Sequence, residues 1–524
     1  MLKRSMSVIL LIGLLIFNVP SMRLVSASTE SIEDAKVQTV ITTDGEVDDM
    51  NSFIRALYYA NEMDIKGIVI TSSVYHYAGD PGQDIEPFRW TGTDWVFDMI
   101  DAYDAIYPNL SIHADGYPTA EELKEITKIG NIKDVGEMEE ITEGSEFLKE
   151  LFLDGDANPL YVQTWGGTNT TARALKSIEE EYSDTDEWEE IKQQVYDRVV
   201  LYIILDQDDS YSDYIQKSWP NLRVMKDTSN FWRFAYLWKM NNDEVNTHLQ
   251  GEWNRENIQT NHGPLLDMYA LMGDGNLLDG ELPEEQRGSD EYLENNPEYN
   301  QYDFISEGDS PSFFYLFNNG LRNYEDPTYG GWGGRFKAVD DTLNLNTALD
   351  YNPYSERFEA EYTLTRWFDD IQNDFAMRAD WGVTPIFEDA NHLPNISIEE
   401  GIDIEASIGE EVTISANVSD PDGDELTYQW WHYFEASTYS GNDAVDEDTF
   451  TSDEIQGLQY SLNREVSEDD KIDSIELHNA DTTAVTFTVP EDAKVGDTIH
   501  IILEVSDSGE HEAKAYQRVI ITVR

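Results

Sequence analysis

The sequence predicts two domains of different class: a mostly parallel α/β sheet with helices on both faces over residues 36–390, then an antiparallel β-sandwich over residues 391–524. Three observations carry this. In the first part, short β-branched runs alternate with amphipathic helical stretches, the texture of βαβ units. After Asn391 the helical period stops, and short alternating strands follow one another between turn residues. The chain, at 524 residues with 40% hydrophobic content, is also long enough for more than one core.

Each element has its own signal. Val37 to Thr42 is a β-branched run that reads as a buried strand. Asp49 to Met63 places Met50, Phe53, Ile54, Leu57 and Tyr58 at helical spacing, and Ile65 to Thr71 reads as the returning strand. The pattern recurs in the strand Leu160–Trp165, the helix Thr171–Tyr182, the strand Val199–Leu205 and the strand Leu222–Met225. Gly280 to Asp303, acidic and rich in Asn and Pro, reads as a solvated excursion. In the tail, Glu411–Ser419, Leu426–Trp431, Ala484–Val489, Ile499–Val505 and Tyr516–Val523 alternate as half-buried strands. Asp420-Pro421-Asp422-Gly423-Asp424 is a turn between two of them, and one of Trp430 and Trp431 must face the core.

Composition removes whole classes of function. With 34 Lys+Arg against 105 Asp+Glu the net charge is −71, so nucleic acid is excluded as a partner. The absence of cysteine excludes disulfides, thiolate metal sites and cysteine nucleophiles. Thirteen Trp, 29 Tyr and 20 Phe exclude a solvated acidic tail. At the N-terminus, Lys3 and Arg4 precede an apolar stretch from Ser7 to Pro20 and the small residues Val25-Ser26-Ala27. This pattern predicts a signal peptide over residues 1–27, cleaved near Ala27, and a secreted protein with no membrane contact after cleavage. Acids spread over helix faces and loops, such as Glu179 to Glu181, suit an exported protein of a salty habitat.

Open parallel sheets bind ligands at the carboxyl ends of their strands. After the first strand comes Asp44-Gly45-Glu46-Val47-Asp48-Asp49, four carboxylates in a tight turn entering a helix. Their mutual repulsion calls for a cation, although acids also suit the first turn of a helix. After the other strands come Ser72, Ser73 and His76; Trp165 to Asn169; and Asp206 to Asp209. An all-oxygen donor set of this kind points to Ca²⁺.

Asp44-Gly45-Glu46-Val47-Asp48-Asp49 resembles the D-P-G-x-D-D segment of calcium-dependent nucleoside hydrolases, and Gly167-Thr168-Asn169 resembles their G-x-x-T-N element. More closely, the chain resembles the nucleoside hydrolase-like family of exported bacterial proteins named after a cellulose-binding member, with a C-terminal Ig- or PKD-like sandwich. Segments carrying this resemblance are Ile112–Pro118, Thr142–Ser145, Gln163–Asn169, Asp206–Asp209, His262–Leu265, Gly308–Phe313, Gly330–Phe336, Ser419–Asp424, Trp430-Trp431 and Tyr516–Val519, which together span nearly the whole chain.

The resemblance implies Asp44 as general base and metal ligand, and Asp48, Asp49, Asp309 and the Thr168 carbonyl as further Ca²⁺ ligands. It leaves His76, Trp165, Asn169, Asp206, Asp208 and His262 to contact substrate. The implied activity is hydrolysis of an N-glycosyl or related sugar bond. Three departures bear on it. Thr42 stands where the hydrolases begin with Asp, Gly45-Glu46 replaces Pro-Gly, and Gly308 replaces the His that donates a proton to the leaving base. The alternative is a non-catalytic cellulose- or polysaccharide-binding protein on the same fold. The expected ligand is a small sugar-containing substrate or a polysaccharide, and the oligomeric state is open.

Overall fold

The strand Val37–Thr43 (β1) lies near the middle of the larger sheet, with six of its seven residues buried. Its β-branched side chains fill both faces, as expected of a parallel strand covered by helices. The computed structural model describes residues 36–440, 462–467, 470–472 and 474–524, and the expected signal peptide lies outside these residues. Among the described residues, no helix is long and apolar enough to cross a membrane.

From β1 the chain enters the helix Val47–Tyr58 (α1) and returns through Met63–Ile70 (β2), completing the expected βαβ unit. The helix begins two residues earlier than its apolar period suggests, so Asp48 and Asp49 occupy its first turn. Phe53, Ile54, Leu57 and Tyr58 are buried, and Met50 packs at the margin of the same core. After the helix Asp94–His113 (α2) and a short helix Ala120–Glu125 (α3), Thr127–Ile129 (β3) adds to β2. Glu143–Phe152 (α4) leads to Leu160–Thr164 (β4), which pairs with the other side of β1. Asn169–Tyr182 (α5) and Trp188–Arg198 (α6) then lead to Val199–Ile204 (β5), followed by Arg223–Asp227 (β6).

The short strands Lys337–Ala338 (β7) and Leu343–Leu345 (β8) close the sheet in the order β3-β2-β1-β4-β5-β6-β8-β7. All neighbours are parallel except the edge pair β7 and β8. One face buries Ile41, Ile68, Tyr202 and Met225 against α1, α2 and the helix Phe368–Val383. The other buries Val40, Val69, Val162 and Leu201 against α4, α5 and α6. Successive residues of each strand point to opposite faces, so the two cores interleave along every strand.

The C-terminal strands are Asn395–Ile398 (β11), Asp403–Ala406 (β12), Glu411–Ser419 (β13), Thr427–His432 (β14), Ala484–Thr488 (β16), Thr498–Ser506 (β17) and Lys514–Val523 (β18). They form two sheets, β11-β13-β16 and β12-β18-β17-β14, antiparallel except for the pair β12 and β18. Ile414, Phe487, Ile501 and Leu503 fill the space between them. Trp430 is the core member of its pair, with its indole N–H on the Thr482 carbonyl at 2.8 Å. Trp431 is half-buried and donates to Glu504 at 2.8 Å.

The C-terminal segment is bound closely to the chain that precedes it. The small strands Asp350–Asn352 (β9) and Arg357–Glu359 (β10) are extended by Asn463–Glu465 (β15). Arg518 on β18 is fully buried and donates to the carbonyls of Leu321 at 2.6 Å and Gly330 at 2.8 Å. Tyr433 donates to Asp350 at 2.6 Å, and Arg335 holds the same carboxylate at 2.8 Å.

Candidate functional site

The chain runs outward from β1 through β2 to β3, then crosses back to build β4, β5 and β6 on the other side. The gap above β1 and β4 is therefore the point where strand order reverses, the usual place for a ligand in an open α/β sheet. Register brings the strand ends level: Thr43 lies beside Ile70, Thr42 beside Thr164, and Ile204 beside Asp227. The loops that follow are tied together by backbone bonds from Thr71 to Thr43, from Gly167 to Ser72 and from Val74 to Gln207, at 2.8, 3.0 and 3.1 Å.

The acids after β1 converge there with one from far along the chain. Asp44, Asp48, Asp49 and Asp309 are all buried, with 1, 8, 2 and 2% of their surface exposed. Asp48, Asp49 and Asp309 each offer an oxygen within 4.8 Å of the others, a spacing that one hard cation can bridge. Asp49 Oδ1 is oriented by the Thr43 hydroxyl at 2.5 Å and the Asp44 N–H at 3.1 Å. Tyr236 donates to Asp48 at 3.2 Å and to Glu46 at 3.0 Å.

Asp44 Oδ2 and Asp309 Oδ2 are buried without a hydrogen-bond partner. Burial, reinforced by Asp44, raises the Asp48 carboxyl to about 6. Asp49 and Asp309 are pushed well above the usual carboxylate range by burial and by the neighbouring acids. Carboxylates so crowded and desolvated, with unpaired oxygens, are the donor set a divalent cation stabilises.

The backbone approaches this cluster closely. A Cβ on Gly166 would lie 2.8 Å from Asp44 Cβ, and one on Gly308 would lie 2.8 Å from Asp48 Oδ2 and 3.2 Å from Phe231. Position 308 therefore has no room for the imidazole that the hydrolases carry there. Gly308→Ala is expected to displace Asp48 and lower the melting temperature, with the secondary structure unchanged by circular dichroism.

A cavity of about 180 Å³ opens beside the acids, lined by Asp48, Asp49, Asp309, Trp165, Phe231, Trp232 and Tyr236 among others. Trp165 is buried at its floor with the indole N–H on Ser312 at 2.9 Å. Over the cavity lies a set of ion pairs absent from the sequence reading. Arg89 reaches Glu281 at 2.7 Å, Glu285 at 3.3 Å and Glu46 at 3.6 Å. Arg287 reaches Glu281 at 3.4 Å and lies 4.3 Å over the Tyr236 ring. Gly280 to Asp303 is solvated only in part: Glu285 and Arg287 line the cavity and Glu281 and Asp303 are buried, while much of the stretch from Asp290 to Gln301 is exposed. A polar segment with a single arginine, Arg287, gave no periodic signal that could have shown this.

The other expected site residues have varied places. His76 is fully buried with both ring nitrogens unpartnered, 4.0 Å from Glu46, and burial lowers its pKa to about 4. Thr168 and Asn169 begin α5 beneath the cavity. The Thr168 carbonyl accepts from Ala172 at 2.8 Å, and its hydroxyl lies 2.6 Å from Ser210. Asp208 accepts the Asn169 N–H at 2.9 Å and the Ser210 hydroxyl at 2.7 Å, while the Asn169 amide is spent on Ser72 and Asn131. Thr168, Asn169 and Asp208 are not among the residues that line the cavity, while the Thr168 carbonyl, with one N–H on it, keeps a lone pair free. Asp206 accepts the Ser212 N–H at 3.0 Å, and its neighbour Gln207 reaches the cavity instead. His262 is placed elsewhere, against Asp380 at 3.2 Å.

Comparison with known proteins agrees with this arrangement. The family model described as "Cellulose-binding Sde182, nucleoside hydrolase-like domain" matches residues 38–336, and "Cellulose-binding protein Sde0182, C-terminal domain" matches residues 411–523. Among solved structures, a nucleoside hydrolase-related protein from Saccharophagus degradans that is associated with carbohydrate metabolism is 25% identical. That match covers 94% of this chain and all of the other, with a TM-score of 0.66. The plant nucleoside hydrolase PpNRh1 is 10% identical over 59% of this chain and 87% of its own, with a TM-score of 0.29. No curated protein matches.

Proposed function

The chain belongs to the cellulose-binding Sde182 nucleoside hydrolase-like family, and from that premise we propose that it is an exported, Ca²⁺-dependent hydrolase of an N-glycosyl or related sugar bond. The observation that carries the reading is the meeting of Asp48 and Asp49 with Asp309, from opposite ends of the α/β domain, beside the unpartnered Asp44 carboxylate. Asp44, Asp48, Asp49 and Asp309 would hold the cation, which when bound supplies charge to acidify water and grip sugar hydroxyls.

The chain's own groups do the rest. The Asp44 carboxylate accepts the proton of the attacking water. Trp165, Phe231 and Trp232 offer flat apolar walls to one sugar ring, and Arg89 and Arg287 line the same cavity as hydrogen-bond donors for its hydroxyls. At about 180 Å³ the cavity is smaller than the roughly 300–1,000 Å³ of pockets for drug-sized ligands, which favours a single glycosyl unit over a chain. His76, held neutral by burial, is a poor proton donor near neutral pH, so substrates with good leaving groups are favoured.

The test is a panel of nucleosides, nicotinamide nucleosides and nitrophenyl glycosides assayed with Ca²⁺ on wild type and Asp44→Asn. Turnover by wild type that falls by at least about 10²-fold in the variant supports the reading. No turnover of any compound, together with retention of the full chain on insoluble cellulose, would favour a binding protein, the role in the family's description. The net charge of −71 supports the reading of a protein suited to a saline medium. The melting temperature is expected to rise from dilute buffer to molar NaCl, followed by circular dichroism.

A further inference from the structure

Away from the cavity, a second set of metal-ligating side chains gathers around Asp380. Asp380 stands near the end of the helix Phe368–Val383. His262 follows the turn Arg255–Gln259, and Glu510 and His511 lie in the hairpin between β17 and β18. Asp380 Oδ1 is 3.2 Å from His262 Nε2, and Oδ2 is 3.0 Å from His511 Nε2. Glu510 offers an oxygen within 4.8 Å of the ligand atoms of Asp380 and His511. Both histidine side chains are 10% exposed and that of Asp380 is 32% exposed, so the group is sheltered yet reachable from solvent.

The tautomer of His262 follows from its surroundings. Its Nδ1 lies 3.0 Å from the Ile258 carbonyl, which can only accept, so Nδ1 carries a proton. In a neutral ring, Nε2 then presents a lone pair to the Asp380 carboxylate, two acceptors facing each other at 3.2 Å. Either a second proton or a metal cation must lie between them. An imidazole fixed by donating its far N–H to a backbone carbonyl is the arrangement that orients metal-bound histidine. The two imidazoles approach different oxygens of the one carboxylate, at 3.2 and 3.0 Å, and the ligand atoms of Asp380, Glu510 and His511 lie within 4.8 Å of one another.

We propose that Asp380, Glu510 and His511, with His262 held on the other Asp380 oxygen, form a site for a first-row transition-metal dication of the Zn²⁺ class, clipping the β17–β18 hairpin to the α/β domain. An imidazole among the donors, with a second on the shared carboxylate, favours such an ion over Ca²⁺, which prefers oxygen throughout. The cavity acids contain no imidazole at their centre, so the two sites differ in metal preference.

The experiment titrates the metal-stripped full chain with Zn²⁺, and with Co²⁺ as a spectroscopic probe. One saturating equivalent is expected, with visible Co²⁺ absorption and a rise in melting temperature. His262→Ala and His511→Ala should each weaken binding at least about ten-fold, since changing even an outer partner of a metal ligand costs that much. Glu510→Gln, a conservative change at an exposed position, should weaken it as well. Asp309→Asn should leave Zn²⁺ binding intact, which separates this site from the Ca²⁺ reading of the cavity. Absence of saturable binding to wild type, or binding unchanged in both histidine variants, would overturn the proposal. So would a His511→Ala destabilisation that is equal with and without Zn²⁺, because it would mark a proton-bridged ion pair in place of a metal.

Discussion

Replacing Arg55 with Met is expected to destabilise the protein by about 3–5 kcal/mol in chemical denaturation, the cost of leaving a buried charge without its partner. Arg55 is on α1, one to two turns beyond Asp48 and Asp49, and is fully buried. Its guanidinium binds Glu307 at 2.5 and 2.8 Å, donates to Gln372 at 2.5 Å, and lies 3.9 Å over the Phe375 ring. Glu307, also fully buried, takes further hydrogen bonds from Ser310 at 2.7 Å and from Tyr269.

This pair joins the helix that carries two of the site acids to the loop that carries the third, since Asp309 lies two residues beyond Glu307. Arg55→Met should therefore weaken Ca²⁺ binding along with the fold. Arg55→Lys should recover little, because an ammonium cannot reproduce the two-pronged grip. Arg55→Met/Glu307→Leu should be more stable than Arg55→Met alone, since it removes the stranded carboxylate. A loss below about 1 kcal/mol for Arg55→Met would contradict the assignment, since that is the range of an exposed ion pair.

The second large effect is a reversal of sign at Asp309. Its carboxylate is desolvated and repelled by Asp49, Asp48 and Asp44. In chelator, Asp309→Asn should raise the melting temperature above wild type by removing one of the crowded charges. With Ca²⁺ the order should invert, because wild type gains about 2.7 kcal/mol at a hundred-fold excess over its Kd and the variant does not. If Asp309→Asn is no more stable than wild type in chelator, or is stabilised equally by Ca²⁺, the cluster is not a cation site.

The pH dependence has the same origin. A carboxyl raised to about 6 in the folded state contributes stability at low pH that is lost as pH rises through that value. Metal-free wild type should thus lose stability as pH rises from about 4 to about 6 through Asp48, with Asp49 and Asp309 adding to the loss in the same direction, and Ca²⁺ should oppose it.

Much of the fold was legible because its signals are local. The strand β1 was readable from six consecutive residues, α1 from the spacing of Phe53, Ile54, Leu57 and Tyr58, and the sandwich strands β13, β17 and β18 from simple alternation. The acidic turn Asp44–Asp49 could be assigned to a strand end for the same reason. Trp430 and Trp431 were separable in principle by the two-residue period, but which of them is core needed the sheet.

What the sequence determined by itself is therefore the order and type of elements, the acidic turn and the family. Tertiary structure alone decided which distant residues meet that turn. Asp309 reaches Asp49 from 260 residues away, Glu285 and Arg287 line the cavity from a segment that reads as solvent-exposed, and His262 lies against Asp380 instead of in the cavity. The physical reason is that periodicity records which face of one element is buried, whereas a site is a meeting of side chains from several elements. Only the reversal of strand order between β1 and β4, and the packing of helices and hairpin around it, sets those distances.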